Sequence, residues 1–441
     1  MGRIFLVGSA FLPKFVAYNL LTVKVLLVNT SEQTGGAAIA TQRLMNALQA
    51  QGIDAKMLVR DRATSRPDVL ALPGKWKARA RFLGERLTIW AHNRFSRRNL
   101  FKVSIANTGF DITAHPAFVE ADVVHLHWVN QGMLSLRDIR RILASGKRVV
   151  WTLHDMWPAT GICHHAYDCD RYALACHDCP FLAFPSENDL SARTFRRKLR
   201  TYGGVQPNLS VVAVSRWLAQ RVQESVLLGE KPLDVIPNTL SLEKFDLLDR
   251  MESRKALGLA DKRYILLFGA ARIDDPIKGF SFVRQAIEVL LARGEFRADE
   301  LHLLLFGSIK YPHLLDDFPI TTTSMGLVND TSLIAQLYSA ANVTLSASHY
   351  ETFGQTMVEA QACGCLPLSF DGSGQADIID HKVNGYLAAR LNIENLADGL
   401  EWCLGEGQCV DRRELRQHVL ERYDEQLIAR QYTEVYRRQL M

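Results

Sequence analysis

The chain has 441 residues, of which 48% are apolar, with 52 Lys and Arg against 47 Asp and Glu for a formal net charge of +5. Such a length exceeds one ordinary hydrophobic core, so two domains are expected, and the composition is that of a soluble globular protein rather than a low-complexity chain. The charge is uneven: residues 1–240 carry 31 basic against 18 acidic side chains, whereas residues 241–441 carry 21 against 29. A basic first half is suited to a polyanion or an anionic surface; the acidic second half is not.

In chain order, the opening MGRIFLVGSAFLPKFVAYNLL is interrupted by Pro13 and Lys14 and is too short on either side to span a bilayer. Its apolar stretch is also short for a signal peptide. Residues 1–22 are therefore expected to form an extension before the first strand of a cytoplasmic protein, a monotopic anchor being the alternative. VKVLLVNT (23–30) is an apolar strand, followed by a polar loop and an amphipathic helix closed by Gly52. DAKMLVR, ADVVHLHWV, RVVWTLHD, LSVVAVS and LDVIPN continue the series of strand-length apolar runs, with helical stretches such as LSLRDIRRILASG between several of them. Alternation of strands and helices implies a parallel sheet covered on both faces.

The pattern restarts after a charged, helical stretch at 243–259, with RYILLFGA, LHLLLFG, NVTLSAS and CLPLSF as strands. The expected fold class is α/β, two doubly wound domains in tandem facing each other across a cleft. The boundaries expected are 23–240 for the first domain, 241–415 for the second, and 416–441 for a final helix returning to the first. In such sheets ligands lie beyond the carboxyl ends of the strands. The second half places its chemistry there: Arg272 and Lys278 after one strand, Leu327 in SMGLVND, and Glu351, Gly354 and Glu359 after NVTLSAS. Gly354 to Thr356 would open a helix whose unpaired N–H groups, with two nearby cations, suit a diphosphate. Two hydrolytic carboxylates would have to lie roughly 5 to 10 Å apart. An eight-residue separation through a loop and a helix start does not enforce that, so the pair reads as two clamps on one long ligand.

HYETFGQTMVEAQACG resembles the Glu-x7-Glu signature of retaining glycosyltransferases of family 4, which have the GT-B fold. TGGAAIATQRL, GAARIDDPIKGF and GLVND resemble that family's glycine-rich loop, phosphate clamp and base-reading loop, in the expected order from residue 23 onward. The departure is QACGCLPLSF, which alters apolar sheet residues only. The resemblance implies that Arg272 and Lys278 hold the donor diphosphate and stabilise the departing nucleotide, a term that is often the largest in catalysis. It implies ribose binding by Glu359, sugar binding by Glu351, base reading around Leu327, and donor contacts from Phe353, Gly354, Gln355 and Thr356. No metal cofactor is expected at the diphosphate.

In the first half, Gly35 and Gly36 follow the first strand and could approach the donor phosphates. His125 and His127 share one side of their strand by alternation; by resemblance, His127 is the one to touch the transferred sugar or acceptor and completes the catalytic set with Arg272, Lys278 and Glu351. His154 and Asp155 are acceptor candidates. Residues 75–102 hold nine basic residues and one acid, interleaved with Trp76, Phe82, Leu83, Leu87, Trp90 and Phe95. That pattern reads as an element for an anionic membrane surface, and no recognition motif points to nucleic acid. Cys163, Cys169, Cys176 and Cys179 crowd into GICHHAYDCDRYALACHDCP, a segment resembling a Cys-rich insertion in some bacterial polysaccharide enzymes of the family. The four suit a structural zinc site or free or redox-paired thiols.

The expected activity is retaining transfer of a hexose-like sugar from a nucleoside-diphosphate sugar to a glycan acceptor, lipid-linked, in bacterial exopolysaccharide or lipopolysaccharide assembly. The expected location is cytoplasmic, peripheral on the inner membrane face. The alternatives are a sugar-nucleotide epimerase of the same fold and a non-catalytic zinc-containing binder of polyanions or membrane surfaces.

Overall fold

The computed structural model describes residues 23–204 and 206–438; the expectation for residues 1–22 lies outside the described residues. The first half forms a seven-stranded sheet from β1 (Lys24–Ser31), β2 (Asp54–Asp61), β3 (Val69–Ala71), β4 (Val123–Leu126), β5 (Arg148–Leu153), β6 (Leu209–Ala213) and β7 (Leu233–Val235). The second half forms a six-stranded sheet from β8 (Tyr264–Arg272), β9 (Leu301–Ser308), β10 (Thr321–Ser324), β11 (Val343–Ser346), β12 (Leu366–Phe370) and β13 (Tyr386–Ala388). The pairings in both sheets are parallel, with orders β3-β2-β1-β4-β5-β6-β7 and β10-β9-β8-β11-β12-β13. Central strands such as β1 and β12 are buried on both faces, which is why they read as unbroken apolar runs rather than alternating ones.

Three strands escaped the sequence reading: β3, β10 and β13. Each is a sheet edge. VLA and YLA are only three residues long, and TTTS has no apolar run at all. Their strand character comes from pairing with a neighbour, not from their own pattern.

Strand order reverses between β1 and β4 in one sheet and between β8 and β11 in the other. Beyond the carboxyl ends of those four strands lie the crevices in which such sheets hold ligands. The glycine loop follows β1, His127 follows β4, Arg272 ends β8 with Lys278 in the turn after it, and Glu351 to Gly354 follow β11.

The chain crosses back at its end. The helix Glu425–Arg438 buries Ile428, Ala429, Tyr432, Val435 and Tyr436, a helical repeat, against Val25, Leu27, Leu44 and Val150 of the first half. Tyr436 and Tyr432 hydroxyls bond His125 Nδ1 (2.8 Å) and Thr152 Oγ1 (3.0 Å), so His125 is a satisfied core residue. Among the described residues, no helix is long and apolar enough to cross a membrane.

Candidate active site

At the end of β8 the chain turns through the short helix Pro276–Lys278 into Gly279, whose φ is +70°. A β-carbon there would sit 1.9 Å from the Ala347 carbonyl oxygen. Only glycine lets this loop lie against the end of β11, where His349 N–H donates to Ile277 O at 2.8 Å. The close approach brings Lys278 Nζ to 2.5 Å from Glu351 Oε1, and Ser348 Oγ donates to the same oxygen at 2.9 Å. Burial opposes the Glu351 charge, but the Lys278 ammonium and these hydrogen bonds outweigh it and hold the carboxyl below its usual range. The Glu351 charge in turn raises Lys278 above the usual lysine range, despite burial. Arg272 is half exposed and held only at 3.4 Å from Asp274 and Asp275, so its guanidinium can turn toward a ligand.

Gly354 (φ +106°) precedes the helix Gln355–Ala362, and a β-carbon there would press to 2.7 Å on Gln375 Cγ. The opposite wall has the helix Gly36–Ala50, entered through Gly35 at φ +91°. The two helix starts meet: the β-carbon direction of Gly36 points to Gln355 Oε1 at 3.8 Å. Seven residues on, and so on the same helix face, Arg43 reaches across to Glu359 at 2.8 Å, while Tyr338 OH donates to the other Glu359 oxygen at 3.2 Å. Thr352 closes the seam: its hydroxyl donates to His154 O (2.8 Å) and its carbonyl accepts from Ser215 Oγ (2.7 Å).

His127 and His154 share a hydrogen bond of 3.0 Å between Nδ1 and Nε2. With His125 they form a row of rings that burial keeps uncharged at neutral pH, His125 at about 3, His154 at about 4 and His127 well below the usual value. Asp155 accepts from Trp128 Nε1 (2.7 Å) and the Trp157 amide (2.9 Å) and pairs with His164 Nδ1 (2.6 Å). Burial disfavours its charge, yet His164 and these bonds hold it at about 2. Asp155 is thus engaged within its own domain. Phe353 is buried edge-on against Tyr423, whereas Leu327 stands exposed beyond Gly326, whose carbonyl anchors to Gly307 N–H at 2.7 Å.

The cysteines do not make the zinc site that their spacing suggested. Cys163, Cys169, Cys176 and Cys179 line one pocket together with Ile162, Tyr172 and Phe181. Among the described residues, no three His, Cys, Asp or Glu side chains converge to hold a metal ion. Burial among apolar walls pushes Cys176 up to about 12 and Cys179 to about 11, favouring neutral free thiols.

Two cleft residues went unread in the sequence. Arg43 carried a signal in its two-turn spacing from Gly36. His165 sat unnoticed among the cysteines.

Comparison with known proteins agrees with this geometry. Residues 34–244 match the family model described as Glycosyltransferase Family 4, and residues 249–422 match that of Glycosyl transferases group 1. A D-inositol 3-phosphate glycosyltransferase of Actinosynnema mirum is 26% identical over 413 residues, covering 86% of this chain and 87% of its own. Among solved structures, sucrose-phosphate synthase of Thermosynechococcus elongatus superposes with a TM-score of 0.64 at 17% identity, covering 94% of this chain and 98% of that one. Anabaena HepE, solved with UDP and glucose, superposes with a TM-score of 0.57 at 17% identity over 94% and 99%. The two family models together span nearly all of the described residues, and the chain belongs to the group 1 glycosyltransferases of family 4, with the two-domain GT-B fold.

Proposed function

We propose that the protein transfers a hexose-like sugar from a nucleoside-diphosphate sugar to a glycan acceptor with retention of configuration, in bacterial polysaccharide assembly. One observation carries the donor half of this reading. Four buried polar atoms without a hydrogen-bond partner among the described residues lie on the two facing walls: Arg43 Nη1, His127 Nε2, His165 Nδ1 and Gln355 Nε2. Orphaned polar atoms are costly in a protein interior, and several in one cleft mark a place built for a polar ligand. Lys278, Arg272 and the Gln355 helix start would take the diphosphate, Glu359 the ribose and Glu351 the sugar. No metal is needed at the diphosphate on this reading. HepE, with UDP-glucose bound, offers a fold-level precedent for such a donor.

On this reading residues 23–240 carry the acceptor side and 241–415 the donor side, with His127, His154 and the Asp155 loop nearest the acceptor. The helix Lys75–His92 exposes Trp76, Leu83 and Leu87, spaced to share one face, beside exposed Lys75, Lys77 and Arg79. An anionic lipid surface complements that combination, as a lipid-linked acceptor on the inner membrane face requires.

Calorimetric titration with UDP, GDP and ADP tests the donor site. One of them should bind the wild type in the micromolar range, and Glu359→Ala and Lys278→Ala should each weaken it about tenfold or more, the worth of a lost charge-assisted hydrogen bond. Binding of none, or variants that bind like the wild type, would remove the basis of the proposal.

A further inference from the structure

The Cys-rich segment crosses the cleft. Tyr350, the residue before Glu351, donates its hydroxyl to Tyr167 O at 2.8 Å, and the two rings pack at 5.2 Å. Arg390 pairs with Asp168 at 3.0 Å. Through these contacts a first-domain loop rests on the second-domain motif.

The strap carries two adjacent histidines with different fates. His164 is fully occupied, Nδ1 with Asp155 at 2.6 Å and Nε2 with Ser104 Oγ at 3.1 Å. His165 instead packs 5.7 Å from the Tyr350 ring, and its Nδ1 is buried with no hydrogen-bond partner among the described residues. It lies close enough to Glu351 and Lys278 for both charges to act on it. A buried imidazole nitrogen left unpaired beside a carboxylate and an ammonium is expensive unless a ligand pairs with the ring. Neutral imidazole both donates and accepts, which matches a hydroxyl better than a phosphate oxygen.

We propose that His165 hydrogen-bonds a hydroxyl of the transferred sugar beside Glu351, making the Cys-rich strap a sugar-specificity element supplied by the first domain. This rests on the donor reading above and adds a contact from the opposite wall.

The test compares affinities for UDP, GDP and ADP with those for UDP-glucose, GDP-mannose and ADP-glucose, in wild type, His165→Gln and His165→Ala, with thermal melting of each. The nucleotide that binds the wild type should bind both variants about equally well, since on this proposal the imidazole pairs with the sugar, which the nucleotide alone lacks. The sugar nucleotide should lose about tenfold in the alanine variant, with partial recovery in glutamine, as one hydrogen bond to a buried group predicts. Unchanged sugar-nucleotide affinity in both variants overturns the proposal, as does a parallel loss for nucleotide and sugar nucleotide, which would make His165 a structural part of the strap. A wild type that binds no nucleotide is a separate failure, of the donor reading itself.

Discussion

At the residue scale, the site is built from groups whose charge states are set by their neighbours. Glu351 stays ionised because Lys278 and Ser348 outweigh its burial, and Lys278 stays protonated because Glu351 faces it. The contribution of Glu351 is therefore present above its ordinary carboxylate value and lost only as pH falls through the depressed one. That of Lys278 is present below the ordinary lysine value and lost as pH rises through the raised one. The pair is intact throughout the neutral range. Gly279 is the hinge that makes it possible, and Gly279→Ala should both strain a left-handed backbone and collide with Ala347 O. The left-handed conformation alone costs on the order of 1–3 kcal/mol, visible as a lowered melting temperature, and donor binding should weaken with the displaced Lys278. The placement of Glu351, Glu359, Arg272, Lys278 and Gly354 was legible because they end β8 or lie in the loops and helix that follow β8 and β11, where topology delivers side chains to the cleft. Arg43 and His165 were not, because their partners are remote: Arg43 and Glu359 are 316 residues apart.

At the scale of elements, the strands buried on both faces announced themselves, and of the four sheet edges only β7 did. The helix Lys75–His92 shows how pattern and packing divide. Its composition suggested one amphipathic surface element, but Glu85 and Arg86 are buried: Glu85 accepts the Ile105 and Ala106 amides (2.8 and 2.9 Å) and Arg86 donates to Val103 O (3.0 Å). One face is thus anchored by an internal ion pair of 3.0 Å while Trp76 and Leu87 remain 82% and 58% exposed on another. Trp76→Ser with Leu87→Ser should leave folding nearly unchanged, since both side chains are already in water. Co-sedimentation with phosphatidylglycerol vesicles should fall several-fold and decline further with salt, by the loss of buried apolar area and screening of the basic flank. Equal sedimentation of variant and wild type would exclude this face as the membrane contact. The cysteine segment teaches the opposite lesson: spacing that permits four ligands is not by itself a metal site, and among the described residues no three such side chains converge on one.

At the scale of the whole molecule, the last helix completes the core of the first half. Tyr436 lies 311 residues from His125 yet bonds to it, and its ring is nearly inaccessible. Tyr436→Ala should cost about 3–5 kcal/mol, as for other large aromatic truncations in cores, measured by denaturant unfolding. A change under about 1 kcal/mol would show that the helix packs only peripherally. The closed arrangement of the halves rests on Arg43–Glu359, Thr352 with His154 and Ser215, and the Tyr167–Tyr350 strap.

The sequence by itself determined the fold class and the placement of the second-half candidate residues around the carboxyl ends of β8 and β11. Parallel strands buried on both faces must be apolar throughout, and residues that serve a ligand must follow them. Only the tertiary structure decided which first-half groups face those residues. Arg43, His154 and His165 meet the second half through contacts between segments separated by well over a hundred positions, and no local pattern of polarity encodes such a distance. The same physics put His125 in the core and His127 beside His154: two residues apart, one within β4 and one just past its end, they differ in what the rest of the chain brings against them.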